Sequence, residues 1–297
     1  MPAFAEPLGD LWYGITIPDF KGKVMPVLIF SQGLKGRRRA IFLCHFNKNC
    51  IQKAKKQGKE KDSLNGRVRL DNGAHRYRYE AIKVLELFAG TRSIGKAFEK
   101  RGHEVFSVEW SKDFAGIDLY EDISKVTAED ILRLLGQPDV IWASPDCTTF
   151  SIAAISHHRR KNPVTGSLEP VSEYAKFCDR VDTHVLELIR ELQPRYYFIE
   201  NPRGGMRKME WMRGLPRYTV TYCQYGDNRM KPTDIWTNHP EPKFLPMCHN
   251  GDSCHVAAPR GSKTGTQGLK GARERSIIPQ KLCEHIVDIC EEGEKDK

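Results

Sequence analysis

From Ala81 onward the chain alternates between short apolar runs and helical segments, and this alternation limits the fold more than any other feature. Ile82–Phe88 is a strand-like run that enters a turn around Gly90, and Lys96–Gly102 completes a short helix that ends at a glycine. Val105–Glu109 is the next strand-like run. Strands joined by helices lie parallel and are covered on both faces. The pattern therefore predicts an α/β fold built on a doubly wound sheet.

A cysteine stands where one of these predicted strands ends. Pro138–Trp142 reads as a buried strand, and it breaks at Ala143 into a small polar loop that contains Cys147. Open α/β sheets place their chemistry beyond the carboxyl ends of their strands, and Pro145 stiffens the approach to the cysteine. We therefore predict that this thiol lies at the rim of a cleft. The alternative is a structural cysteine packed in the core.

The glycine turn and the strand after it have the features of a nucleoside site. Gly90 lies near the start of a helix, and Glu109 ends the following strand about twenty positions later. A tight turn, a helix N-terminus and a carboxylate for ribose hydroxyls are typical of nucleotide-like cofactors. The glycines lack the Gly-x-Gly-x-x-Gly spacing, so NAD is the weaker choice. A plain strand–turn–helix is the alternative.

Two further helices and a long polar segment follow. A helix is predicted over 127–135, with Thr127 as its N-cap and Asp130 in a capping-box role. A longer helix over 173–192 stops before Pro194, and the polar segment 156–172 is long enough to serve as a lid. The apolar residues that we expect to form the core face of the longer helix are Tyr174, Phe177, Val181, Val185, Leu188 and Leu192.

A second carboxylate ends another predicted strand. Tyr196–Ile199 is apolar and runs into Glu200 and Asn201. In a doubly wound sheet the ends of parallel strands face one crevice. We therefore expect Glu200 to lie near Cys147 and the glycine turn.

Residues 1–80 differ from the rest of the chain in charge. Between Lys21 and Glu80 there are sixteen Lys or Arg against four Asp or Glu, a net charge of +12, whereas the whole chain carries +9. Short apolar runs such as Val24–Phe30 predict strands, and Arg alternates with apolar or aromatic residues over 66–79. This combination favours a lobe that binds nucleic acid, with a merely solvated charged face as the alternative.

Cysteine usage favours a reducing compartment. The nine cysteines are sparse and irregular, which is not the pattern of a disulfide scaffold. The segment Cys248–His255 does not have the spacing of a standard zinc finger. We favour a loop with two free thiols there over a zinc knuckle, and predict no metal site. No apolar run approaches the length of a membrane span, and we expect a cytoplasmic protein.

The motifs occur together in the order seen in the DNA (cytosine-5) methyltransferases, and the resemblance covers about residues 81–290. The chain resembles compact members of that family, of the kind found in phages or mobile elements. The segments that are similar to the family's motifs are Leu85–Gly90, Pro145–Asp146–Cys147, Gln193–Asn201, Tyr225–Gly226 with Arg229 and Lys231, and Ser276–Leu282.

The resemblance implies a Rossmann-like methyltransferase that acts on cytosine in DNA with the base flipped out of the helix, and we expect the DNA to be double-stranded. It implies S-adenosyl-L-methionine as the cofactor and Cys147 as the nucleophile. Glu200, Arg229 and Lys231 would complete the catalytic group. The residues implied to bind the cofactor are Phe88, Ala89, Gly90, Thr91, Glu109, Trp110, Asp122, Ile123, Ser144, Pro145, Ser276 and Ile277.

The chain departs from the family pattern in four places, one of which is the compressed spacing from Tyr225–Gly226 to Arg229. Asp146 stands between Pro145 and the cysteine, Pro202 follows Glu-Asn where the family usually has Val, and only about 237–270 is available for target recognition. The implied organisation is a basic lobe at 1–80, a catalytic domain at 81–236, this short insertion, and a returning C-terminal segment at 271–297. An RNA or tRNA cytosine-5 methyltransferase and a non-catalytic DNA-binding protein on the same fold remain as alternatives.

Overall fold

The computed structural model describes residues 81–257 and 271–292, together with six short strands between Glu6 and Tyr77. The chain divides into two compact units, Met1–Arg78 and Tyr79–Lys297. The predicted turn at 31–39, which contains Arg37–Arg39, lies outside the described residues. So do the predicted loop at 52–65 and residues 258–270 of the insertion.

The described part of the first unit consists of antiparallel strands, as its apolar runs predicted. Four strands form one sheet in sequential order, and two more form a hairpin in which Val68 pairs with Arg76. The strand predicted at Val24–Phe30 is confirmed. The strands are β1 (Glu6–Pro7), β2 (Trp12–Pro18), β3 (Val24–Phe30), β4 (Cys44–His45), β5 (Arg67–Arg69) and β6 (His75–Tyr77).

The second unit is built on a seven-stranded sheet, with a separate two-stranded hairpin. The sheet contains β7 (Lys83–Leu87), β8 (Glu104–Glu109), β9 (Leu119–Tyr120), β10 (Val140–Ala143), β13 (Tyr196–Pro202), β14 (Arg217–Thr221) and β15 (Pro232–Thr237), and the hairpin contains β11 (Arg159–Lys161) and β12 (Leu168–Pro170). The order across the sheet is β14-β15-β13-β10-β7-β8-β9. The five strands from β13 to β9 are parallel, and β15 is antiparallel to both of its neighbours. The predicted doubly wound α/β fold is confirmed.

Helices cover both faces of this sheet. The described helices are α1 (Ser93–Lys100), α2 (Ala128–Leu134), α3 (Ile155–His158), α4 (Glu173–Leu192), α5 (Ala272–Ser276) and α6 (Gln280–Glu292), and 3₁₀ helices occur at Ile123–Lys125, Met206–Lys208, Glu210–Met212 and Tyr222–Tyr225. Alternate residues of a strand point to opposite faces, and in β7 Leu85 packs with α2 and α4 whereas Val84 packs with α1 and α6. The central strands are consequently buried on both sides.

Two predicted helices are confirmed in detail. Helix α2 begins after Thr127, whose side chain accepts from the Asp130 backbone N–H while the Asp130 carboxylate accepts from the Thr127 N–H. Helix α4 spans Glu173–Leu192, as predicted. Its expected core face is wrong at its first turn, where Tyr174 and Phe177 are exposed. Ala175 and Cys178 are buried in their place, so the buried face at the start of the helix lies one residue further along than the apolar spacing predicted.

The polar segment 156–172 contains more structure than a lid loop would. Helix α3 leads into the hairpin of β11 and β12, in which Arg159 pairs with Pro170. The Arg159 side chain is fully buried and forms an ion pair with Asp179 of α4. This cation therefore holds the hairpin to the domain and is not available to a ligand.

Among the described residues, no helix has the length and apolar character needed to cross a membrane.

Candidate active site

Three parallel strands end side by side at one edge of the central sheet. Ala143 at the end of β10 pairs with Leu87 of β7 on one side and with Ile199 of β13 on the other. The residues that follow these strands therefore meet at this edge. Phe88 begins the glycine turn after β7, and Glu200 lies just beyond Ile199 in β13. These residues therefore lie where the sequence predicts a crevice.

Hydrogen bonds fix the loop that carries Cys147. The Trp142 indole N–H donates to Ser144 Oγ over 2.7 Å, which ties the start of the loop to the strand. The Asn201 side-chain amide, from the end of β13, donates to the carbonyl oxygen of Pro145 over 3.0 Å. Pro145 is buried and Cys147 is half-buried, so the thiol stands at the boundary between core and solvent. This position agrees with a thiol at the rim of a cleft.

The charges around Cys147 oppose one another. Burial raises the pKa of the thiol to about 11, and the carboxylates of Asp146 and Glu200 act in the same direction. The ammonium group of Lys231 lowers it. At neutral pH the thiol is therefore protonated in the free protein, and thiolate formation depends on which of these charges a bound molecule removes or neutralises.

Glu200 is buried beside a tyrosine hydroxyl. Its carboxyl is only 6% exposed, and Glu200 Oε1 accepts a hydrogen bond from the Tyr222 hydroxyl over 3.1 Å. Tyr222 lies in the 3₁₀ helix after β14 and is fully buried. Burial raises the pKa of Tyr222 well above its usual value, so its hydroxyl remains a donor at any ordinary pH. The tyrosine thereby orients one carboxyl oxygen and leaves the other for a ligand.

Lys231 belongs to the same group of residues. Its Nζ lies 4.4 Å from the centre of the Tyr222 ring and donates to the carbonyl oxygen of Arg275 over 2.9 Å. Burial lowers the pKa of Lys231, and the negative charge of Glu200, together with that of Cys147 when it is a thiolate, opposes that shift. In the structure, the charges of Glu200 and Lys231 thus both affect the pKa of Cys147.

Arg229 is held by a neighbouring acid. Its Nε lies 2.9 and 3.0 Å from the two carboxylate oxygens of Asp227, and the residue is only 5% exposed. Its Nη1 is buried and has no hydrogen-bond partner among the described residues. A buried guanidinium N–H without a partner is costly, and it can be satisfied by an anionic or carbonyl group of a ligand.

The glycine turn is strained and held by Glu109. Phe88, Gly90 and Arg92 all have positive φ, at 54°, 49° and 57°. The Gly90 backbone N–H donates to Glu109 Oε2 over 3.0 Å, and the Ser111 N–H donates to Glu109 Oε1 over 3.0 Å. The carboxylate therefore joins the turn after β7 to the loop after β8. Strain of this kind persists only where the surroundings enforce it, and it clusters at ligand sites.

A second buried carboxylate, Glu86 of β7, contacts the helix that follows this turn. Glu86 is 2% exposed, and its Oε1 accepts from the backbone N–H of Gly95 in helix α1 over 2.9 Å. A Cβ at Gly95 would overlap Glu86 Oε2, which explains the glycine at this position. Burial raises the pKa of Glu86 to about 7.

The other residues predicted to bind the cofactor differ in their exposure and in their contacts. Trp110 follows Glu109 and is 71% exposed, so its ring face is open. Asp122 Oδ1 accepts from the Ser124 backbone N–H over 2.9 Å and caps a 3₁₀ helix, whereas the Ile123 side chain is buried in the core. Ala89 is buried, and Thr91 Oγ1 lies 2.9 Å from the hydroxyl of Ser93.

The C-terminal segment returns to the start of helix α1. The Ile278 backbone N–H lies 3.4 Å from Ser93 Oγ, and Ile278 is buried against that helix. Ser276 and Ile277, just before it, are exposed. The guanidinium of Arg273 lies 5.5 Å from the centre of the Phe114 ring, whose edge is near Gly90. The segment around 273–278 therefore lies along the glycine turn.

The sequence alone did not indicate two residues that hold the candidate site in place, Tyr222 and Arg159. Tyr222 looked like one more apolar residue, and only the packing of β14 beside β15 and β13 shows that its hydroxyl meets Glu200. Arg159 looked like one cation in a basic run, and only its burial against Asp179 distinguishes it. The available signal was Asp179 on the predicted helix that follows, because a buried arginine needs an acidic partner.

Comparison with known proteins adds a relative and two partial structural similarities. No protein-family model matches the chain. A "Probable DNA (cytosine-5)-methyltransferase" of Frog virus 3 (isolate Goorha) is 30% identical over 228 residues, which cover 70% of this chain and 100% of the viral protein.

Two solved methyltransferase structures match about half of the chain. The Entamoeba histolytica methyltransferase EhMeth aligns with a TM-score of 0.39 and 13% identity, over 54% of this chain and 53% of its own. A DNMT2 mutant from Spodoptera frugiperda aligns with a TM-score of 0.37 and 15% identity, over 53% of this chain and 49% of its own. The match to the viral protein, by contrast, spans that protein's whole length. The chain therefore belongs to the DNA (cytosine-5)-methyltransferase family and is a methyltransferase.

Proposed function

We propose that this enzyme transfers a methyl group from S-adenosylmethionine to C5 of cytosine in DNA, through a covalent bond between Cys147 and a base turned out of the double helix. One observation carries the proposal within the family. Cys147, Glu200 and Lys231 come from three separate segments, after β10, within β13 and before β15, and the carboxylate and the ammonium group both act on the pKa of the Cys147 thiol. A nucleophile, a carboxyl group and a cation at one point are what addition to a cytosine ring requires.

Cys147 would act as the nucleophile. Its sulfur forms a bond to C6, and the electron pair of the C5–C6 double bond moves to C5, which becomes able to attack an electrophilic methyl group. Loss of the C5 proton and departure of the Cys147 thiolate from C6 then restore the aromatic ring. S-adenosylmethionine would supply the methyl group as a carbon bonded to a positively charged sulfur. A base within a duplex cannot reach a half-buried thiol, so it has to be flipped out.

Glu200 and Lys231 would stabilise the charge that develops on the ring. The Tyr222 hydroxyl occupies Glu200 Oε1, and we propose that Glu200 acts as a neutral acid in the complex, donating from Oε2 to N3 of the cytosine and also contacting its 4-amino group. Lys231 lowers the pKa of Cys147 and so favours its thiolate. The unpartnered Nη1 of Arg229 is suited to the base carbonyl or the adjacent phosphate.

The residues around the glycine turn fit an adenosyl cofactor. The Glu109 carboxylate is fixed by two backbone N–H groups, and each oxygen retains a lone pair that can accept from a ribose hydroxyl. The open face of Trp110 can stack on an adenine ring. Asp122 with Ile123, the 88–91 turn, Ser144 with Pro145, and Ser276 with Ile277 would complete the site.

Double-stranded DNA is the proposed substrate. The name of the viral relative specifies DNA, and the first unit holds much of the positive charge of this chain. Phosphate contacts from such a lobe give affinity without sequence information. Because the insertion at 237–270 is short, we expect a recognition site of about two or three bases.

Methyl transfer from labelled S-adenosylmethionine to three acceptors tests the proposal. We expect label in duplex DNA, resistant to RNase and mapped to 5-methylcytosine, with little in tRNA or protein. Cys147→Ser should abolish it, whereas Cys178→Ser, a change of the same type at a buried cysteine of α4, should retain it. Label in tRNA alone would assign the enzyme to RNA, and full turnover by Cys147→Ser would remove the cysteine from the mechanism.

A further inference from the structure

Four potential metal ligands that the proposed reaction does not use converge beside β14. Cys223 lies in the 3₁₀ helix after this strand, and Cys248, Cys254 and His255 lie in the loop that follows β15. Their ligand atoms, three sulfurs and His255 Nδ1, all lie within 4.8 Å of one another. The two segments are separated by 25 residues between Cys223 and Cys248, so the tertiary fold brings them together.

The spacing of these atoms matches tetrahedral coordination. A zinc ion with bonds of about 2.3 Å to sulfur and about 2.0 Å to nitrogen separates its ligands by about 3.8 Å between sulfurs and about 3.5 Å from sulfur to nitrogen. His255 Nδ1 lies 3.7 Å from Cys248 Sγ and 3.6 Å from Cys254 Sγ, and the sulfurs of Cys223 and Cys254 are 3.6 Å apart. The sulfurs of Cys223 and Cys248 are closer, at 3.1 Å, and the other two pairs of ligand atoms lie within 4.8 Å. The separation of 3.1 Å is still well beyond the roughly 2.05 Å of a disulfide.

The ligand types also select zinc. Thiols are weak hydrogen-bond donors, so neutral thiols gain little from crowding around an imidazole nitrogen. Three thiolates and one histidine, by contrast, form a complete set for structural zinc, and soft sulfur ligands disfavour calcium or magnesium. Cys223 and Cys248 are buried while Cys254 is exposed. The metal would therefore lie near the surface, with its inner side covered by the protein.

We propose that Cys223, Cys248, Cys254 and His255 bind one structural zinc ion. The ion fastens the loop 245–257 to the segment 222–231. Hydrogen bonds already hold the loop on both sides of the cluster. The Cys248 N–H donates to the side-chain Oγ1 of Thr221, just before this segment, over 3.0 Å, and the Val256 N–H donates to the Asn228 carbonyl oxygen over 2.9 Å. The segment 222–231 carries Arg229 and Lys231, so the zinc also stabilises the backbone that presents them.

This proposal replaces the sequence-based prediction of two free thiols and no metal. The segment 248–255 by itself has an unusual spacing and an adjacent Cys–His pair, which argued against a finger. Cys223 supplies the missing ligand from another part of the chain. The turn at 250–253 lets both Cys254 and His255 face the cluster. The proposal does not depend on the methyl-transfer reaction.

Metal content of the full-length protein, purified under reducing conditions with added zinc and then dialysed, tests the site. We expect about one zinc per chain by elemental analysis, as a complete four-ligand site requires. His255→Ala should lose most of it. His249→Ala should keep it, because His249 belongs to the same loop but its side chain is 86% exposed and lies near Asp252. A protein without zinc, or equal zinc in both variants, would overturn the proposal.

A cobalt measurement on the unaltered chain covers the case in which His255→Ala fails to fold. Exchange of zinc for Co²⁺ should give the intense visible bands of tetrahedral cobalt and a near-ultraviolet thiolate-to-cobalt band. Weak octahedral bands without the thiolate band would refute the cluster.

Alkylation under denaturing conditions without reductant tests the alternative that Cys223 and Cys248 form a disulfide. All nine cysteines should be labelled, and a recovered Cys223–Cys248 disulfide peptide would contradict metal binding.

Discussion

At the scale of single residues, Asp146 is the departure from the family pattern with the clearest physical consequence. It is exposed and directly precedes Cys147, and its negative charge adds to burial in raising the pKa of the thiol. Its Oδ1 also accepts from the Thr148 backbone N–H over 2.6 Å, which holds the turn of the loop. The residue thus shapes the cysteine loop and at the same time disfavours the thiolate.

Asp146→Asn should therefore make Cys147 more reactive. The amide retains an oxygen for the Thr148 N–H but removes the charge, so the pKa of Cys147 falls below its value of about 11 and the thiolate fraction at pH 8 rises. We expect alkylation of Cys147 by iodoacetamide to accelerate roughly threefold to tenfold, since one pKa unit changes the thiolate fraction tenfold. Peptide mass spectrometry gives the rate for Cys147 alone. The exposed control Glu191→Gln should leave it unchanged, and equal rates in all three proteins would contradict the assigned cause.

The residue scale also shows where prediction from sequence stops. Cys147 and Glu200 could be predicted because each follows an apolar run that reads as a buried strand, and parallel strands end at one edge. The hydroxyl of Tyr222 on Glu200 could not, because it depends on how β14 packs. Its contact joins positions 22 residues apart, and no local pattern encodes it.

At the scale of elements, the hairpin of β11 and β12 is joined to the site by one buried arginine. Arg159 Nη1 and Nη2 donate to the two carboxylate oxygens of Asp179 over 3.1 and 2.7 Å, and its Nε donates to the Thr149 carbonyl over 3.1 Å. The guanidinium also lies 4.1 Å from the centre of the Phe150 ring. Thr149 and Phe150 directly follow the cysteine loop, so this side chain joins that loop to helix α4 and the hairpin.

Arg159→Gln should be strongly destabilising. Removal of the cation leaves Asp179 partly buried without its charge partner, and breaking a buried pair costs about 3–5 kcal/mol. Urea denaturation followed by circular dichroism measures the change. The adjacent and exposed Arg160→Gln is the matched control and should stay within about 0.5 kcal/mol of the parent protein. Similar losses in the two variants would show that the hairpin does not depend on the buried pair.

Elements with strong local signals were predictable. Helix α4 has the predicted bounds and α2 has the predicted capping box, because caps and apolar periodicity are encoded locally. The hairpin of β11 and β12 was not predicted. Its three-residue strands are too short to show alternation, and a buried ion pair holds it in place.

At the scale of the whole molecule, the excess positive charge and the proposed catalytic residues lie in different parts of the chain. The proposed catalytic residues belong to the second unit, whereas residues 21–80 carry a net charge of +12. We propose that this basic lobe is the main DNA-holding surface and that the short insertion adds little sequence recognition. The fold of the second unit could be predicted from its alternation of strands and helices. The zinc cluster could not, since its ligands come from segments that only the tertiary fold brings together.

Replacement of Arg37–Arg39 by Ala should weaken DNA binding to a similar degree on all sequences. Each lost phosphate contact lowers the slope of log K against log salt by about 1. Fluorescence anisotropy at several salt concentrations measures both effects. A control with the same change in net charge replaces Lys100, Arg133 and Arg213, exposed cations of the second unit, and should retain the steeper slope. An unchanged slope in the first variant would place DNA binding elsewhere.

Trapping with 5-fluorocytosine tests the covalent mechanism most directly. Fluorine at C5 cannot leave as a proton does, so a thiol that has added to C6 remains bound after the methyl group has been transferred. Incubation with S-adenosylmethionine and duplex DNA of mixed sequence containing 5-fluorocytosine should give a denaturation-resistant enzyme–DNA adduct. Peptide mapping should locate the link at Cys147, and Cys147→Ser should form none. Methylation of ordinary DNA without any trapped adduct, or an adduct mapped to another residue, would contradict the account.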